Sequence, residues 1–117
     1  GYLIIEQTEA MCVIDVNSGK NIAKSKKQAD KERAALGVNM EAAAQVINQI
    51  RLRNISGIII IDFINMQEEA SVKELLSYMK GLAKKEHITT NIVDITPLGL
   101  VEMTRKNNGK TLKELIR

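Results

Sequence analysis

The sequence predicts an α/β fold: a single domain with a mixed, largely buried β-sheet flanked by helices. Three observations carry that expectation. Ile58-Ile59-Ile60-Ile61 is a β-branched run without polar alternation, entered from Ser56-Gly57 and closed by Asp62. Such a run predicts a strand buried on both faces, as at the centre of a helix-covered sheet. Strand-like and helix-like segments alternate along the chain, which predicts a right-handed crossover and parallel pairing. Finally, 117 residues that are 44% hydrophobic suffice for one sizeable core.

Tyr2-Leu3-Ile4-Ile5-Glu6 reads as a strand, Gln7-Thr8-Glu9 as a polar break, and Met11 to Val16 as a second strand. The short break predicts a hairpin. Along the second strand Asp15 and Asn17 share a face, because side chains alternate. Asn17-Ser18-Gly19 ends it with turn chemistry. Lys20 to Gly37 is rich in Lys and Arg without a strong apolar stripe, and reads as a mobile basic loop with a fraying helix over Lys26 to Leu36. Asn39 is placed as the N-cap of a helix whose buried face is Met40, Ala43, Ile47 and Ile50. Arg51 and Arg53 fall in its last turn. After the isoleucine strand, Asn65 is placed as the cap of a second helix. Val72, Leu75, Leu76, Met79, Leu82 and Ala83 give that helix a clear stripe, and Lys84-Lys85 closes it. Asn91 to Ile95 and Leu100 to Thr104 read as strands around a Thr96-Pro97-Leu98-Gly99 turn. Asn107-Asn108-Gly109 reads as a turn, and Leu112 to Arg117 as the start of a helix.

Composition narrows the function classes. Aromatic residues make up 3% and Trp is absent, which argues against a stacking platform for single-stranded bases. A net charge of +3 is compatible with a polyanionic partner. The single Cys excludes an internal disulfide or a multi-Cys zinc site, so a reducing, cytoplasmic setting is the default. No apolar stretch approaches the roughly 20 residues of a membrane span. The chain opens on Gly1-Tyr2 in mid-strand and is expected to be a piece of a longer protein.

Two segments have the same shape, an apolar strand run into Asp: Cys12-Val13-Ile14-Asp15-Val16-Asn17 and Ile60-Ile61-Asp62-Phe63-Ile64-Asn65. If their strands are neighbours, Asp15 and Asp62 converge on one rim, where two carboxylates repel unless a cation or proton lies between them. A hard oxygen site of this kind suits Mg²⁺. The same two residues also fit a plainer role as capped strand ends. Cys12, inside an apolar strand, is a core residue. His87, beside Lys85 and Glu86, is a solvated residue at a helix end. Glu6, Glu9 and Glu102 are surface or hydrogen-bonding carboxylates. Arg51 and Arg53 suit either the phosphates of a polyanionic partner or the helix dipole.

Several stretches together resemble the catalytic core of the ribonuclease E/G family: Gly1 to Ala10, Val13 to Gly19, Asn39-Met40-Glu41-Ala42-Ala43, Gly99 to Lys106, and above all Arg51 to Met66. They occur in the family's order and cover nearly the whole chain. The resemblance implies that residues 1–117 are the subdomain named for its DNase I-like fold. It implies an Mg²⁺-dependent endoribonuclease that hydrolyses single-stranded RNA to 5′-phosphate and 3′-hydroxyl ends, in RNA processing and decay. Asp15 and Asp62 match the metal ligands, and Asn17 matches the residue that orients the scissile phosphate. Arg51, Arg53 and Lys106 are the candidate RNA contacts. RNA, the other subdomains of the enzyme and a homo-oligomeric full-length assembly are the implied partners. The family's S1-type RNA-binding module and 5′-end sensor fall before Gly1, and its zinc link after Arg117. The piece alone is therefore expected to cut weakly. Asn65 and Asn54 stand where the family usually has Asp, and Lys20 to Val38 matches poorly. Around Glu86-His87-Ile88-Thr89 the family tends to be more basic. The competing reading is a non-catalytic RNA-docking or assembly module with a vestigial acidic site. A phosphotransfer domain is weaker still, because no phosphoacceptor Asp has a matching Lys or Thr.

Overall fold

A computed structural model describes residues 2–17, 27–86, 90–95 and 100–105. Their element order is β1 (Tyr2–Gln7), β2 (Met11–Asn17), α1 (Gln28–Leu52), β3 (Gly57–Asp62), α2 (Glu69–Lys85), β4 (Thr90–Ile95) and β5 (Leu100–Arg105). The strands form one sheet in the order β1-β2-β3-β5-β4. Only β2 and β3 run parallel, joined through α1; the other pairs are antiparallel, with an irregularity between Ile92 and Ile95 in β4. The sheet is thus mixed, as predicted. None of the described helices is long and apolar enough to cross a membrane.

Thr8 makes the first hairpin. Its N–H donates to the Met11 carbonyl at 2.8 Å, and its hydroxyl accepts from the Met11 N–H at 3.1 Å. A threonine that bonds the backbone locally is well suited to such a turn.

Both helices pack on the same side of the sheet. The core joins Cys12, Ile14 and Val16 of β2, Ile59 and Ile61 of β3, and Val101 and Met103 of β5. Onto these pack Ala43, Val46, Ile47 and Ile50 of α1, and Leu75, Met79 and Ala83 of α2. Of the predicted stripes, Ala43, Ile47, Ile50, Leu75, Met79 and Ala83 are buried, and Met40, Val72, Leu76 and Leu82 are half-buried. Cys12 is 1% exposed, a core residue as read from its strand. Burial pushes its thiol pKa up, and the Arg53 charge offsets only part of that.

One expectation is corrected by this layering. The isoleucine strand is buried on one face only: Ile59 and Ile61 are fully enclosed, whereas Ile58 is 38% exposed. With both helices on one side, alternate residues of every strand emerge on the other, and Tyr2, Ile4 and Val13 are exposed there beside Ile58.

The predicted helix starts are corrected too. Gln28 to Gly37, read as a loop with a fraying helix, is the first part of α1, so Asn39 lies inside the helix and does not cap it. The N-cap of α2 is Glu68, not Asn65. At the other end of α1, Asn54 takes a left-handed conformation (φ 52°). The Ile55 N–H then returns to the Ile50 carbonyl at 3.0 Å, and the Asn54 N–H to the Arg51 carbonyl at 3.3 Å. This is a Schellman stop in which Asn serves where Gly is usual. Arg105 seals it, donating to the Ile50 and Ile55 carbonyls and to Asn54 Oδ1. The turns at Ser18-Gly19, Thr96 to Gly99 and Asn107 to Gly109, and the helix start at Leu112, lie outside the described residues.

Ile61→Ala should cost about 2–5 kcal/mol of stability, because it opens a cavity in the core. Ile58→Ala should cost about 1 kcal/mol or less, since much of that side chain already meets water. Urea midpoints of the two variants check this; equal losses would mean that the second face is covered.

Candidate active site

The site begins with the parallel ladder. Met11 stands opposite Ile58, and the pairing continues in step until Asp15 stands opposite Asp62. Alternation fixes this register. A slip of one residue would turn Ile14 or Ile61 out to water and drive the carboxylates into the core. Neighbouring strands lie about 5 Å apart. Asp15 and Asp62 are both exposed, on the face opposite the helices. Two carboxylates on adjacent strands repel one another unless a cation or proton lies between them. Their outer neighbours are apolar, Ile4 beside Asp15 and Leu100 beside Asp62. Glu102 is half-buried and pairs with Ile60, one step back on the same face.

Asn17 follows Asp15 on the same face, as predicted from alternation. It pairs with Tyr2 of β1, and its amide Nδ2 donates to the Tyr2 hydroxyl at 3.0 Å. Asp15, Asn17 and Asp62 are therefore brought together at one end of the sheet.

The donor set fits a hard cation. It consists of carboxylate oxygens on an open face, and Cys12 is turned into the core. Among the described residues no group of three or more His, Cys, Asp or Glu is placed to hold a metal. An ion held here would keep much of its water, which is the habit of Mg²⁺.

Two residues that sequence reading did not single out as functional organise the segment after Asp62. Asn39, fully buried on α1, grips the Ile64 backbone from both sides: its Oδ1 accepts from the Ile64 N–H and its Nδ2 donates to the Ile64 carbonyl, each at 2.8 Å. Glu32, 6% exposed and two turns earlier, accepts from the Gln67 and Glu68 N–H groups at 2.8 and 2.9 Å. The N-cap of α2, Glu68, makes no side-chain cap bond of its own, and its N–H is one of the two that Glu32 holds. Burial works to raise the Glu32 pKa, but the two N–H donors and the Ser71 hydroxyl outweigh it and hold the carboxyl below its usual range. The available signal was weak: a Glu and an Asn seven residues apart lie on one helical face, in a stretch that lacks an apolar stripe.

The candidate RNA contacts sit elsewhere. Arg51 and Arg53 are at the C-terminal end of α1, which leads into the start of β3 at Gly57, whereas Asp62 is at its finish. Arg51 bonds Asn48 Oδ1 at 2.9 Å and pairs with Glu86 at 3.7 Å, both partially exposed. Its structural use is thus visible, and the structure does not bring it to the aspartates. Lys106 and His87 lie outside the described residues.

The model of the ribonuclease E/G family matches residues 1–108. The chain belongs to the ribonuclease E/G family. It is 44% identical to ribonuclease E of Synechocystis sp. over 115 residues, covering 98% of this chain and 16% of that protein. It is 40% identical to ribonuclease G of Haemophilus influenzae and 37% identical to that of Escherichia coli, each over 116 residues, covering 99% of this chain and 23% of the relative. The chain therefore spans about a sixth to a quarter of the length of these ribonuclease E/G relatives.

The Glu32 bonds make a pH prediction. A carboxyl whose pKa is depressed by folding contributes stability that is complete above its unfolded value of about 4.3 and is lost as pH falls through the folded value. Glu32→Gln should therefore lower stability at pH 7, and the gap to the parent chain should narrow below about pH 4. Urea titrations at pH 7 and pH 3 test this; a gap of constant size would show that the charge of Glu32 is not what matters.

Proposed function

We propose that this chain is the catalytic subdomain of an Mg²⁺-dependent endoribonuclease that hydrolyses single-stranded RNA to 5′-phosphate and 3′-hydroxyl ends. The observation that carries this reading is the register of β2 on β3, which puts Asp15 beside Asp62 on an open face. The names of the matched relatives, ribonuclease E and ribonuclease G, point the same way.

Asp15 and Asp62 would hold the ion. When bound, hydrated Mg²⁺ supplies a water of lowered pKa and positive charge against a phosphoryl oxygen. The two carboxylates, whose repulsion the ion relieves, fix where it sits. Asn17, a neutral donor on the same rim, orients the scissile phosphate, and the Tyr2 hydroxyl holds its amide in place. The DNase I-like label for the subdomain belongs to the same proposal, as do the homo-oligomeric assembly and the cytoplasmic setting. So does the dependence on further RNA-binding parts of a longer enzyme, since phosphate contacts supply most of the affinity for RNA.

Asp15→Asn and Asp62→Asn, each made in the full-length polypeptide that carries this sequence, should lower cleavage by roughly a hundred- to a thousandfold or more. In metal-free buffer their melting temperatures should stay level or rise slightly, because each change removes one of two like charges. Undiminished cleavage would sink the proposal. A marked fall in melting temperature would identify the pair as caps of strand ends. Steeply salt-dependent RNA binding with cleavage indifferent to both aspartates would return the chain to the docking-module reading.

A further inference from the structure

Asp62 is the last residue of β3, and strand ends are where a ladder frays. Its upstream backbone is held from both sides, by pairing with β2 and with β5. Downstream, residues 63–68 run to α2 with no regular structure of their own. Something else must hold them if the Asp62 carboxylate is to keep a fixed place beside Asp15.

That role falls to α1. The Asn39 side chain exchanges two hydrogen bonds of 2.8 Å with the N–H and carbonyl of a single residue, Ile64. This is the bonding pattern of a directly opposed pair in an antiparallel ladder. The amide thus stands in for a neighbouring strand, two residues beyond Asp62. Glu32 then pins Gln67 and Glu68 from the same face of the helix. Phe63 packs into the core just before the first anchor, and Met66, between the two anchors, packs against it.

Stability alone does not ask for this arrangement. Asn is a poorer helix former than Ala or Leu. A fully buried polar side chain is tolerated only when its groups are satisfied, whereas an apolar residue would serve an ordinary core position. Asn39 meets this condition by bonding to the one backbone segment that leaves the site.

We propose that Asn39 is a positioning residue for Asp62, acting through the Ile64 backbone, with Glu32 as the second pin of the same segment. The proposal rests on the reading of Asp62 as a ligand of a catalytic cation. A carboxylate displaced by even half an ångström binds and places an ion less well, and supporting groups behind metal ligands are typically worth about 10- to 100-fold in affinity or activity.

The test compares Asn39→Asp, Glu32→Gln, Ile50→Val and Asp62→Asn in the full-length polypeptide that carries this sequence. Asn39→Asp keeps the acceptor for the Ile64 N–H but sets a carboxylate against the Ile64 carbonyl. Glu32→Gln is the second variant should the first not fold. Ile50→Val loosens the far end of α1, away from the 63–68 segment, and serves as a stability control. Mn²⁺ affinity is read from water-proton relaxation, and RNA cleavage over a range of Mg²⁺ concentrations, at temperatures where each variant is folded. Asn39→Asp and Glu32→Gln should weaken Mn²⁺ binding by about 10- to 100-fold. They should lower kcat at limiting Mg²⁺ while KM for RNA stays within about twofold, and excess Mg²⁺ should restore the rate, which loss of folded protein does not do. Ile50→Val should move neither quantity. Folded Asn39→Asp or Glu32→Gln protein with parental Mn²⁺ affinity and kcat overturns the positioning role, as does an equal loss in Ile50→Val. If Asp62→Asn cleaves RNA and binds Mn²⁺ normally, the catalytic reading falls and takes this proposal with it; if only Asp62→Asn is impaired, the positioning role alone falls.

Discussion

The parallel pairing of β2 with β3 is the constraint on which the rest of the molecule depends. It is the only parallel contact among the described strands, and it sets Asp15 directly against Asp62. A parallel pair cannot be closed by a tight turn, so the chain must travel the length of the sheet and return. The intervening helix is therefore a topological requirement before it is anything else. It is also what makes one face of the sheet the core. Once α1 and α2 share that face, the alternate residues of every strand, both aspartates among them, are left on the other.

The dimensions of α1 turn this requirement into support for the site. Its 25 residues extend about 37 Å at 1.5 Å per residue, whereas the six residues of β3 extend about 20 Å. The helix ends near the start of β3, so its excess length overhangs the finish, where Asp62 lies. Asn39 falls near the level of the strand end, and Glu32 lies two turns beyond it. Each meets the chain at the matching height, Asn39 at Ile64 and Glu32 at Gln67 and Glu68. The apolar half of the helix drives packing, and the overhanging part carries its buried polar contacts.

This division explains what was legible in the sequence. The strands, the second helix and the shared face of Asp15 and Asn17 follow from periodicity, and the convergence of the two aspartates follows once their strands are neighbours. The first ten residues of α1 read only as a fraying helix in a basic loop because they answer to a different signal. They bury little apolar surface, and what fixes them is Glu32 bonded to backbone amides 35 and 36 residues away. No local pattern announces such a partner. Asn39 was misplaced for a related reason: an Asn ahead of an apolar stripe is what an N-cap looks like, and only the tertiary structure shows its amide committed to Ile64. Ile58 misled in the opposite direction. An unbroken isoleucine run resembles a strand covered twice, yet only alternate members meet a helix here.

The uncovered face also gives the acidic pair its electrostatic character. Carboxylates beneath the helices would face a desolvation cost of several kcal/mol each and would shed their charge instead. Carboxylates surrounded only by water would repel weakly and bind a cation weakly. Asp15 and Asp62 lie between these limits, exposed themselves but bordered by Ile4 and Leu100 along the row and by Val13 and Ile60 one step back, with Glu6 and Glu102 flanking that second row. Apolar neighbours lower the local dielectric response without removing solvent access, which strengthens both the repulsion between the two charges and their attraction for an ion that relieves it. The exposed isoleucine and valine side chains of this face, a mild liability as surface, are thus part of what makes two aspartates on adjacent strands a site.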